Sequence, residues 1–137
     1  MDALDDEGLS RQARDHLAPD VQARVAEAWL RGRALILNAN KPGYSEAFTI
    51  AAEQYVLLRQ VILDAVDSLA DDDGEVLLKS VVAMTQAELG DHPAFPTGRT
   101  TNYTRYTKTD LEARGELIRI PNRSPQRIRR RRSTDHD

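Results

Sequence analysis

Cysteine is absent from the 137 residues, which excludes disulfides, thiolate metal sites and thiol nucleophiles and fits a reducing compartment. Aromatic residues make up only 5% while charged residues reach 30%, so parts of the chain are expected to stay solvated. No apolar run approaches the ~20 residues that span a bilayer. The opening MDALDDEGLS is acidic and polar, the opposite of a signal peptide. These features lead to the expectation of a cytoplasmic chain with no membrane partner. Catalytic signatures are missing as well. His16, His92 and His136 lie in three separate segments without metal-ligand spacing, and there is neither a Gly-rich phosphate loop nor a Gly-flanked serine. The expectation is a non-enzyme with no cofactor and no metal. The length suits about one domain with a modest core.

What is present is a strong charge asymmetry behind a net charge of -3. Residues 1–73 carry 7 Lys/Arg against 14 Asp/Glu, and residues 74–137 carry 12 against 8. Within 97–132 the balance is 11 against 3. One face is therefore expected to attract polyanions and another to repel them.

Residues 1–18 read as a mobile acidic arm with a marginal helix near Ser10–Leu17, which Ser10 can cap. Residues 19–33 read as a helix, with Val21, Val25, Ala28 and Trp29 on one face and Trp29 as an anchor against the core. Ala34 to Leu37 is short, apolar and followed by turn residues, which favours a strand able to pair with a later hairpin. A long helix is expected from about Ser45, as its cap, to Leu69. Phe48, Ala51, Ala52, Tyr55, Leu58, Ile62, Ala65, Val66 and Leu69 form its stripe.

Asp71-Asp72-Asp73-Gly74 invites a calcium-loop reading. With Gly74 at the sixth position, Leu69 and Ser80 occupy the first and twelfth, so both terminal ligands are missing. The run reads instead as a capping turn that starts a helix over Glu75–Leu89.

After Phe95-Pro96-Thr97-Gly98, a helix over Arg99–Arg114 is expected to stop at Gly115. Strand-like pieces follow at Glu116–Pro121 and Gln126–Arg130, and residues 133–137 read as a disordered tail. Turn, helix and basic hairpin in that order is how a winged helix-turn-helix ends.

On a wheel of roughly one hundred degrees per residue, Tyr103, Thr107, Leu111 and the stem of Arg114 point inward. Thr101, Arg105, Lys108 and Glu112 point outward, flanked by Asn102 and Thr109. Asp110 and Glu112 lie about two hundred degrees apart and cannot act as an acid–base pair. Arg and Asn can read base edges, while Lys and Thr reach phosphates. Arg99, Asn102, Arg105 and Lys108 are thus candidate groove contacts. Arg119, Arg123, Arg127 and Arg129 are candidates for the duplex backbone, with affinity falling as salt rises. A merely solvated helix face is the plain alternative. Tyr103 and Tyr106 can stack on unpaired bases, but at this spacing on an amphipathic helix they read as core.

NANKPG at 38–43, Tyr55…Arg59…Leu63, FPTG at 95–98, KTDLEARGELIR at 108–119 and the Pro-Gln-Arg ending together resemble a family. It is a bacterial family of small uncharacterised winged-helix-like proteins, and the resemblance covers roughly residues 36–131. It implies a fold and carries no activity or functional residues with it. The resulting expectation is an α+β winged helix-turn-helix-like domain over 34–132 with a C-terminal β-hairpin wing and a helical N-terminal extension. Its function would be DNA binding in transcriptional control through the helix 99–114 and the wing 116–130, with double-stranded DNA as partner. The alternative is a non-catalytic interaction module that forms a homodimer.

Overall fold

A computed structural model of the chain describes residues 3–44, 47–132 and 135. It is a mixed α+β structure with five α-helices and two small antiparallel sheets among the described residues. The N-terminal helices are α1 (Arg11–His16) and α2 (Pro19–Leu30). Ser10 caps α1 by accepting from the Ala13 N–H at 3.1 Å. Pro19 opens α2, where its fixed φ and missing N–H cost nothing.

The expected mobile arm is corrected by its packing. Leu9, Ala13 and Leu17 are buried, and with Val21, Val25, Leu37 and Ala113 they form a second apolar cluster beside the main core. Ala13 lies on α1, and Leu9 and Leu17 flank its two ends and turn to the same cluster, apolar residues set among polar and acidic neighbours. Gly8 has φ +76 and lies so close to the Trp29 ring that a Cβ would stand 2.5 Å from it.

Strand β1 (Arg33–Ile36) pairs with β2 (Phe48–Ala51), with Ile36 opposite Phe48 and Arg33 opposite Ala51. Two expectations fail here. The strand at 34–37 does not pair with the C-terminal hairpin, and the first turn of the expected long helix is extended. Aromatic and β-branched residues at Phe48, Thr49 and Ile50 suit a strand once a partner edge is available. Phe48 fell into helical register only by coincidence. The Ser45 cap lies outside the described residues. The Gln54 side chain serves the start of α3 (Ala52–Leu69) instead, its Oε1 accepting from the Ala51 N–H at 3.3 Å.

Helix α3 is the scaffold, burying Tyr55, Leu58, Val61, Ile62, Leu63, Ala65 and Val66. The expected stripe was too narrow at its centre and too long at its end, since Leu69 is exposed. Asp71 then organises a turn, its Oδ1 accepting from the Asp73 and Glu75 N–H groups at 2.9 and 3.0 Å. The turn leads into β3 (Glu75–Leu77) and only then into α4 (Leu78–Leu89), where a helix had been expected throughout. Val76 sits opposite Ile128, so sheet pairing captures these three residues. Helix α5 (Thr101–Ala113), β4 (Leu117–Arg119) and β5 (Arg127–Arg130) complete the chain. The second sheet has the order β3–β5–β4. One apolar core joins α3, α4, α5 and both sheets. No helix among the described residues is long and apolar enough to cross a membrane. The tail at 133–137 falls outside the described residues except for Asp135.

Candidate nucleic-acid interface

The start of α5 is fastened by α4. Gln86 donates to the Gly98 carbonyl at 2.6 Å and accepts from the Thr100 N–H at 2.9 Å and its hydroxyl at 3.0 Å. Phe95 is buried, with its ring edge-on to Tyr103 at 5.3 Å. Thr107 and Leu111 face the core as the wheel required, and Thr104, which the wheel did not single out, is buried with them.

The other end of α5 is held by charge. Asp110 and Arg114, one helical turn apart, are both fully buried and paired at 3.1 Å. The Asp110 carboxylate also accepts from the Tyr55 hydroxyl at 2.7 Å and the Leu37 N–H at 2.9 Å. Arg114 donates to the Gly8 and Leu35 carbonyls at 2.8 and 2.9 Å, and its guanidinium lies 4.7 Å above the Tyr55 ring. Burial pushes the Asp110 carboxyl up against the pull of Arg114, and burial raises the Tyr55 hydroxyl well above its ordinary range. A second buried pair joins Arg59 of α3 to Glu116 just beyond α5. The Asp-Leu-Glu-Ala-Arg-Gly-Glu block therefore acts as a bolt. It ties α5 to α3, to β1 and to the N-terminal segment.

The eight candidate contacts separate into two sets. Arg99, Asn102 and Arg105 are exposed on and before α5, and Arg119 and Arg123 are exposed on the hairpin. Lys108, expected in the groove, is instead buried, donating to Glu112 at 3.1 Å and to Gln126 at 2.6 Å. The β4–β5 hairpin folds over this part of the helix, so the wheel's outward direction meets protein. Burial raises the Glu112 carboxyl, with the Lys108 charge opposing. Arg127, expected on a duplex backbone, pairs with Glu75 at 3.1 Å and Asp71 at 2.7 Å. Arg129 pairs with Asp135 at 2.9 Å, a bond that holds that carboxyl well below its usual range. Arg130 reaches Asp67 at 3.6 Å. Antiparallel pairing of β3 with β5 brings Glu75 and the Asp71 turn beside Arg127, while α3 brings Asp67 to Arg130 and the C-terminal segment folds Asp135 back on Arg129.

Tyr103 and Tyr106 also part ways. Tyr103 is half-buried against Phe95, but Tyr106 is 48% exposed and meets Phe48 of β2 edge-on at 5.1 Å. The expected core role of Tyr106 is thus corrected. No single-helix pattern reveals this pair, because its partner comes from a strand far off in sequence. Among the described residues no group of three or more His, Cys, Asp or Glu is placed to hold a metal.

No curated protein and no solved structure matches the chain. Residues 33–128, well over half its length and including α3 through most of the β4–β5 hairpin, match the family of unknown function DUF6958, and the chain belongs to that family.

Proposed function

We propose that the chain is a winged helix-turn-helix-like, non-catalytic DNA-binding protein acting in transcriptional control of the bacterial kind. Its element order from α3 onward is helix, strand, helix, helix, strand, strand, and β3 pairs with β5, the second strand of the terminal hairpin and the centre of the sheet. That order supports α5 as the recognition element and β4–β5 as the wing. The observation that carries the reading is the outer side of α5. Asn102 and Arg105 stay exposed there beside Arg99, on a helix whose other sides are locked by buried ion pairs. A rigid helix presenting Arg and Asn suits base-edge contact, and Arg119 and Arg123 at the hairpin suit phosphates.

The test is binding to a mixed-sequence duplex over a salt series. Asn102→Ala/Arg105→Ala is expected to weaken binding at least about tenfold. Arg119→Ala/Arg123→Ala is expected to reduce the salt slope by about two. Arg127→Ala should change the slope little, because its charge is spent on Asp71 and Glu75. No binding at low salt refutes the reading.

A second reading is a protein-interaction or homodimerisation module. It is favoured by the internal neutralisation of Arg127, Arg129 and Arg130 and by Leu30, which is 81% exposed at the end of α2. A dimer in light scattering that Leu30→Glu dissociates would support it.

A further inference from the structure

Between the end of the β1–β2 hairpin and the exposed side of α5 runs an open groove of about 560 Å³. Phe48 and Tyr106 form its aromatic corner, and Asn38, Asn40, Arg105 and Thr109 supply polar groups. This volume lies within the ~300–1,000 Å³ typical of small-ligand sites. The two walls are joined by the hydrogen bond from the Leu37 N–H to Asp110 of α5 at 2.9 Å. The turn carrying the asparagines is ordered by the Asn40 N–H donating to Asn38 Oδ1 at 3.0 Å. The groove is therefore preformed, and the same buried network that bolts α5 sets its width.

Phe48 and Tyr106 are 41% and 48% exposed, although two large rings in mutual contact have every reason to be covered. Phosphates have no use for them. Paired bases in a duplex hide their π-faces by stacking, whereas an unpaired base offers its face to an aromatic ring. Asparagine amides carry both a donor and an acceptor and match the edge of a base. Arg105 lies on the shared border, lining this groove and belonging to the outer side of α5.

We propose that the groove between the β1–β2 hairpin and α5 receives an unpaired nucleobase of a DNA strand bound along α5, so that the preferred target is a duplex with a single-stranded extension. This rests on the DNA-binding reading above. The Phe48–Tyr106 corner supplies the stacking surface and Asn38 and Asn40 the edge contacts, while Arg105, at the border, stays with the duplex bases along α5.

The test compares a blunt duplex with the same duplex extended at one end by unpaired nucleotides, using fluorescence anisotropy on the full chain. The native chain is expected to hold the extended probe about tenfold more tightly, the effect of one stacked base. Phe48→Ala and Tyr106→Ala are each expected to bring the extended probe down to the blunt-duplex level, while Tyr106→Phe retains the preference. Both side chains are exposed, and matching circular dichroism melts confirm that the variants fold. Equal affinity of the native chain for the two probes overturns the proposal while leaving duplex binding in place. A preference that survives both alanine changes overturns it too. Failure to bind either probe overturns it together with the DNA-binding reading.

Discussion

Asp110→Ala is the sharpest probe of how this fold is held. Asp110 and Arg114 have no solvent exposure, and the carboxylate serves three donors at once: the Arg114 guanidinium, the Tyr55 hydroxyl and the Leu37 N–H. Removing it leaves a buried cation with no paired carboxylate, held by the Gly8 and Leu35 carbonyls and the Tyr55 ring. Breaking one side of a buried pair costs about 3–5 kcal/mol. Those two carbonyls blunt the loss for Arg114, while the stranded Tyr55 and Leu37 donors add to it, so the expected cost stays within that range. Arg114→Met removes the cation and leaves Asp110 its two other donors. The double variant should then lose much less than the sum of the singles, with a coupling of at least about 1.5 kcal/mol. Urea unfolding followed by Trp29 fluorescence reads both quantities, since the indole lies 6.4 Å from the Tyr55 ring. A cost for Asp110→Ala below about 1 kcal/mol, or strict additivity in the cycle, would show that the network does not bolt α5.

Other consequences follow from the same geometry. Lys108→Ala should cost about 1–3 kcal/mol in thermal or urea melts, because it strands Glu112 and Gln126 inside the helix–hairpin contact. Arg105→Ala, on the exposed side, should stay within about 0.5 kcal/mol, and equal costs would contradict the placement of Lys108. Gly115→Ala should destabilise by at least about 1 kcal/mol, since φ is +79 and the new Cβ would stand 2.5 Å from His16; a neutral melt refutes that packing. The Asp71 carboxyl is held below its usual 3.8 by the Glu75 and Asp73 N–H groups and by Arg127. A depressed carboxyl contributes stability above its unfolded value that is lost as pH falls through the folded one. The urea midpoint should therefore drop below about pH 3.8, and Asp71→Asn should flatten that drop; an unchanged slope removes Asp71 from the account.

Local sequence rules succeeded where a segment satisfies itself. Ser10 caps α1 through its own hydroxyl, α5 stops at Gly115, and the two hairpin strands lie within their expected bounds, because caps, helix stops and turns depend on neighbours in sequence. They failed at Phe48–Ala51 and Glu75–Leu77, where a remote strand supplies the backbone partners and outweighs helical periodicity. The candidate interface divides along the same line. Arg99, Asn102, Arg105, Arg119 and Arg123 are exposed as expected, while Lys108 is taken up by Glu112 of its own helix and by Gln126, and Arg127 and Arg129 by acids outside β5. The helix sequence itself carries the signal of these pairings. Lys108–Glu112 and Asp110–Arg114 are both opposite charges four residues apart on a helix, the spacing that brings side chains together.

The sequence by itself determined the absence of thiol chemistry, the charge imbalance along the chain, the Ser10 cap, the stop of α5 and the central part of the α3 stripe, since each depends on composition or on spacing along one element. Tertiary structure alone decided which strand completes the terminal sheet, that the N-terminal segment packs rather than hangs free, and which cations face outward. Those outcomes turn on desolvation and on partners distant in the chain. A charge is free or spent according to what the fold sets beside it, and Lys108 and Arg105, three residues apart on one helix, end on opposite sides of that distinction.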